Sequence, residues 1–217
     1  MIFGIPTEFI GQVLATLALN LMQGFTAYTL TIYLFRKRKI SLVRVMVTTF
    51  FFYLASIVLI LTMLGLFKIL YFHFLVPVVI LLFLTSLWFY FKRDNGLYST
   101  AKIFVPAESK NVFFWAFVSV IFFIIVVKFF VSSLQIVTES DSLVYHMPFV
   151  ARWYQLGHIW EPYFTAYAGP LGYYPSNYEL FLLWFVFPFQ SDIIVNLVNF
   201  FIYPFFFMLF YLVLRQF

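Results

Sequence analysis

Residues 138–179 read TESDSLVYHMPFVARWYQLGHIWEPYFTAYAGPLGYYPSNYE, the one long polar interruption in a chain of 217 residues. The stretch holds Glu139, Asp141, Glu161 and Glu179, half of the eight acidic residues in the protein. On both sides of it the sequence is apolar over long distances, and that contrast decides the fold class. Charged residues are 10% of the chain, against about 25% in a soluble domain. A water-facing surface cannot be assembled from so few charges, so the bilayer is the expected solvent. A mean hydropathy of +1.01 agrees.

Working outward, four runs upstream and within this frame are long enough for about 30 Å of hydrocarbon at ~1.5 Å per residue. They are residues 9–35, 45–67, 70–91 and 112–134, and a fifth run covers 193–214. Leu180–Phe189 is too short to span. The fold class expected is all-α: a polytopic bundle of about five spans, one short re-entrant or interfacial helix, and short helices in the outer loop. Residues 1–111 form three amino-terminal spans and a connector, to which the sequence assigns no chemistry. Residues 112–217 hold the acidic loop and its flanking spans.

Cations orient this bundle. Arg36, Lys37, Arg38, Lys39 and Arg44 lie between the first two runs, and Lys92, Arg93, Lys102 and Lys110 between the third and fourth. Arg215 ends the last. Positive residues favour the cytoplasmic side, which puts the amino terminus and the acidic loop 135–179 on the outer face. One net crossing then separates the loop from Arg215, so Leu180–Phe189 should enter and return at Gln190–Asp192; the alternative is that it spans and Arg215 lies outside. Ser176-Asn177-Tyr178-Glu179 has the capping-box pattern for its start. The cations sit at the ends of apolar runs, which speaks against a nucleic-acid partner. No secretory-signal pattern precedes the first run. With no cysteine in the chain, disulfides and thiolate metal sites are excluded.

Within the loop each candidate has two readings. Asp141 is either a membrane-edge carboxylate with a task or the end of a Thr138-x-x-Asp141 helix cap. Tyr145 shares its helical face, and Arg152 falls close to that face three turns on. Arg152 either pairs with Glu161 or holds a phosphate by a forked contact. His146 suits a base, a ligand, a substrate contact or a wet interfacial histidine. His158, after the helix-stopping Gly157, reads as a loop residue. Glu139, Asp141 and His146 could together take a divalent cation, though no geometry is defined. Trp153, Tyr174 and their aromatic neighbours suit either interface anchoring or stacking on a sugar ring.

From Val112 to Arg215 the order of these pieces resembles the GT-C superfamily of integral-membrane glycosyltransferases. That superfamily includes protein-mannosyltransferase-like, aminoarabinose-transferase-like and rhizobial core-sugar-transferase-like enzymes. The resemblance rests on a span, an acidic motif with an aromatic four residues later (Asp141, Tyr145), and a helix ending near Trp153–Gly157. A Tyr174-Pro-x-x-Tyr-Glu-Leu helix start, a short apolar helix, an acidic hairpin at Asp192 and a span ending in Arg215 follow. It implies a polyprenyl-phosphate sugar donor and a glycan, lipid or protein acceptor. Asp141 would be the general base, Glu139 its companion, and Tyr145, His146, Arg152, Trp153, Tyr174 and Glu179 substrate contacts. Ser142 stands where many relatives carry a second acid, and members of the superfamily are much longer, so a continuation past Phe217 is expected.

Two other classes compete: a non-catalytic scaffold subunit of envelope assembly, and a transporter or flippase of lipid-linked or small polar solutes. Transporters place charges at midplane on broken helices. Here the carboxylates read as loop residues, and Lys128 is the one charge well inside a run. That counts against transport.

Overall fold

The structure is a computed structural model that describes residues 7–36, 38–92, 102–104, 112–133, 146–160, 176–192 and 194–214. Seven α-helices and two three-residue strands occur among them. The helices are α1 (Thr7–Leu34), α2 (Leu42–Leu66), α3 (Phe72–Lys92), α4 (Val112–Ser133), α5 (Met147–Leu156), α6 (Asn177–Phe189) and α7 (Val195–Leu214). Each expected apolar run is a helix, with ends within a few residues of those read from the sequence. Among the described residues α1, α2 and α3 are long and apolar enough to cross a membrane, consistent with a multi-pass integral membrane protein.

Helix boundaries follow local chemistry. Ser41, in extended conformation, caps α2 by accepting from the Arg44 backbone N–H at 3.4 Å. The strands β1 (Lys39–Ser41) and β2 (Lys102–Phe104) pair in parallel, with Lys39 opposite Lys102. The sequence reading had only a connector here, because three residues are too few to show strand alternation. The pairing puts the α1–α2 and α3–α4 connectors, both rich in cations, at one end of the bundle.

At the opposite end α2 turns into α3 through Lys68, whose φ is +60°. The Leu70 N–H donates to the Gly157 carbonyl at 2.8 Å, and the Trp160 indole donates to the Leu66 carbonyl at 2.9 Å. The carboxyl end of α5 is therefore tied to the α2–α3 turn. Gly157 closes α5 with φ +68°, and a Cβ there would overlap the Tyr71 ring. Two constraints, left-handed backbone and close approach, select glycine at this position.

The core centres on α6. Every residue of that helix from Glu179 to Phe189 is buried, packed by α1, α2, α5 and α7. Leu180–Phe189, read from the sequence as a short re-entrant or interfacial helix, is sheathed in protein. The reason is compositional. A helix that is apolar all round has no face to offer water, and at about 20 Å (~1.5 Å per residue) it is too short to span.

Polar contacts fix how deep α6 sits. The Trp184 indole donates to Asn20 Oδ1 at 3.2 Å, and the Tyr53 hydroxyl donates to the same oxygen. Phe181 meets the Tyr53 ring edge-on, with centroids 6.5 Å apart. Asn20 lies midway along α1 and Tyr53 midway along α2. The other end of α6 reaches Phe9, near the start of α1, and Phe72, at the start of α3. So α6 begins at mid-height and rises to the end of the bundle that carries the α2–α3 turn. Gln190, with φ +53°, stops it there ahead of α7.

Candidate functional site

At the foot of α6 stands Glu179, one turn into the helix. Its Oε1 lies 2.6 Å from Nδ1 of His146 at the foot of α5, with side chains 6% and 19% exposed. That separation is a hydrogen bond between the imidazole and the carboxyl group, with Nδ1 the donor in the tautomer that carries its proton there. The capping box expected at Ser176–Glu179 is not made. Ser176 occupies the cap position without a side-chain cap bond, and Glu179 turns to the imidazole instead. The short hydrogen bond to the imidazole takes the place of the cap.

The second carboxylate oxygen, Oε2, is buried and has no hydrogen-bond partner among the described residues. Such a group costs on the order of 1–3 kcal/mol unless something donates to it, so this oxygen is equipped to meet a donor. Tyr178 holds the ring from the side, with centroids 5.2 Å apart and nearly perpendicular. Its hydroxyl donates to Asn199 Oδ1 on α7 at 3.0 Å. Three helices thus converge on His146.

Position gives the pair its interest. Glu179 precedes Phe181 and Trp184, which touch the midpoints of α2 and α1, so pair and midpoints share a level. Of the carboxylates counted with the outer stretch, Glu179 is described, and it lies buried in the first turn of α6 beside His146 at the start of α5. The contact joins residues 33 positions apart, a distance at which no local pattern announces a partner.

Of the other residues singled out, Trp153 is buried on α5 against Phe149, its indole nitrogen without a partner among the described residues. This is a packing position rather than an interface anchor. Arg152 is exposed on the same helix. His158 is a loop residue as expected, accepting from the Trp160 N–H at 3.3 Å. Glu139, Asp141, Tyr145, Glu161 and Tyr174, with the Thr138 cap pattern, lie outside the described residues. No cluster of three metal-binding side chains occurs among the described residues.

Residues the sequence reading passed over also contribute. Thr16, Asn20, Gln23, Ala27 and Thr31 line one face of α1. Gln23 donates to Ser56 Oγ at 2.5 Å, and Thr49 donates to Thr31 at 3.1 Å. The signal was present as polar residues three or four apart inside an apolar run. Beside the pair, residues 147–155 of α5 and 186–192 at the end of α6 enclose an open-sided cleft of about 550 Å³.

No family model matches this chain, and no match was found among curated proteins or among solved structures.

Proposed function

We propose that this chain belongs to an inverting membrane glycosyltransferase that moves a sugar from a polyprenyl-phosphate carrier to an acceptor hydroxyl. In this reading five helices cross the bilayer, α6 is a half-depth helix, and the amino terminus and acidic loop face outward. Support for the orientation comes from the two basic connectors, which share one end, and from α5, which is tied to the α2–α3 turn at the other. The chemistry needs a base for the acceptor hydroxyl. Its oxygen attacks the anomeric carbon, the bond to the carrier phosphate breaks, and the electron pair leaves with that phosphate.

The observation that carries the reading is the His146–Glu179 pair. His146 stands five residues beyond Asp141 in sequence, the pair lies at the foot of α5 and α6, and Glu179 Oε2 is buried with no hydrogen-bond partner among the described residues. Buried, oriented acid–base groups are the usual equipment for moving a proton away from a reacting hydroxyl. Asp141 is assigned as the base, with Glu139 beside it and Arg152 offsetting charge on the departing phosphate. Glu179 positions His146 within reach of the same reaction. The test is transfer from a polyprenyl-phosphate sugar in membranes holding the full protein. Asp141→Asn should abolish transfer at unchanged expression, whereas retained transfer would remove Asp141 from the mechanism.

A second reading gains from the same pair. Ionisable groups at mid-height, flanked by helices of half length, are also how transporters build solute sites. Under that reading Glu179→Gln abolishes solute flux into proteoliposomes, and Asp141→Asn leaves it intact.

A further inference from the structure

The cleft between α5 and the end of α6 is separate from the His146–Glu179 pair and has a chemistry of its own. Its volume of about 550 Å³ falls in the range of roughly 300–1,000 Å³ typical of small-ligand sites. The lining is graded. Val150, Tyr154 and Val186 supply an apolar wall, and Gln190, Ser191 and Asp192 gather polar atoms at one end. That end is where α6 stops and α7 begins, at the level of the α2–α3 turn. The apolar wall runs from there back toward mid-height along α5.

A ligand that matches this gradient has one apolar chain and one polar head. Asp192 is the one formally charged side chain among the described lining residues, and it is exposed. A carboxylate at the rim repels phosphate or sulfate. The neighbouring carboxamide of Gln190 and hydroxyl of Ser191 are both donors and acceptors, which suits hydroxyl groups. An exposed carboxylate acts only weakly on a charged head of either sign, so the paired donors and acceptors of Gln190 and Ser191 set the match, which is to a neutral head. We propose that this cleft binds a single-chain amphiphile with an uncharged, hydroxyl-bearing headgroup, its chain along α5 and its head at Gln190–Asp192. The site does not rest on the transferase reading, because occupancy is measured without turnover.

The experiment uses the full chain in lipid nanodiscs and a dodecyl glycoside carrying a photoreactive diazirine in its chain, with adducts mapped by peptide mass spectrometry. Label is expected on residues 147–155 and 186–192. Excess unlabelled dodecyl glycoside should compete, while dodecyl phosphate and dodecylamine, which share its chain but lack its hydroxyl groups, should compete less well. Ala151 is exposed and lines the cleft, so Ala151→Trp should fill it and remove the label without disturbing the core. Asp192→Asn keeps the fold and should let dodecyl phosphate compete about threefold better, the size expected of one exposed charge. Label confined to the outward faces of other helices, or unchanged by Ala151→Trp, would overturn the site. Equal competition by all three heads in the unsubstituted protein would overturn the headgroup assignment.

Discussion

Helices α4 and α6 are built from the same kind of sequence and end in opposite places. Phe, Val and Ile dominate α4, Phe and Leu dominate α6, and neither has a polar stripe. Yet in α6 Phe185 is fully buried, whereas in α4 Phe123 is 67% exposed. Apolar character all round fits a protein interior and a lipid environment equally well. Length separates them. Being 22 residues long, α4 can cross the hydrocarbon and leave one flank to lipid. With 13 residues, α6 cannot, so its backbone ends and Glu179 must be covered by protein. The contrast teaches that a short helix apolar on every side calls for a cradle, here supplied by α1, α2, α5 and α7.

The sharpest way to break this contrast is to truncate matched aromatics. Phe185→Ala opens a void inside α6 and should cost about 3–5 kcal/mol. Phe123→Ala on α4 should stay within about 0.5 kcal/mol, as for a surface change. Unfolding in bicelles reads both, and equal losses would mean that α4 is as enclosed as α6.

A smaller effect belongs to the foot of α6. Glu179→Ala leaves His146 half-buried without its partner and should cost on the order of 1–3 kcal/mol. Glu179→Gln preserves shape and a hydrogen-bonding carbonyl toward Nδ1, and should cost less than half as much. The ratio of the two, from the same unfolding measurement, separates pairing from bulk. If the two variants are equal, Glu179 is present for its volume.

Smallest is the tether at mid-height. Asn20→Ala removes the acceptor shared by Tyr53 and Trp184, and interhelical hydrogen bonds of this kind contribute about 0.6–2 kcal/mol. In a double-mutant cycle with Trp184→Phe the two losses should not add. Additive losses would mean that α6 is held by packing alone and that Asn20 does not set its depth.

How much was legible beforehand follows the range of each interaction. The long apolar runs, the stop at Gly157 and the turn at Gln190–Asp192 are local features. Each is decided by residues close in sequence, so composition and periodicity found them. The polar face of α1 was also written in the spacing of Thr16, Asn20, Gln23 and Thr31, though it reads as a minor irregularity until a partner helix is known. The His146–Glu179 contact was not legible. Ser176–Glu179 satisfied a local capping rule, and only the approach of α5 gave Glu179 a stronger partner.

By itself, then, the sequence determined that this is a helical membrane protein with a polar stretch between apolar segments, because the cost of burying charge and backbone in hydrocarbon allows little else. Tertiary structure alone decided that α6 starts at mid-height, that a carboxylate and an imidazole meet there, and that α5 leaves a graded cleft beside it. Those outcomes depend on which helices pack together. A uniformly apolar surface carries no information about its neighbour, and the few polar atoms that select the packing, on Asn20, Tyr53, Trp184, His146 and Glu179, find one another only after the chain has folded.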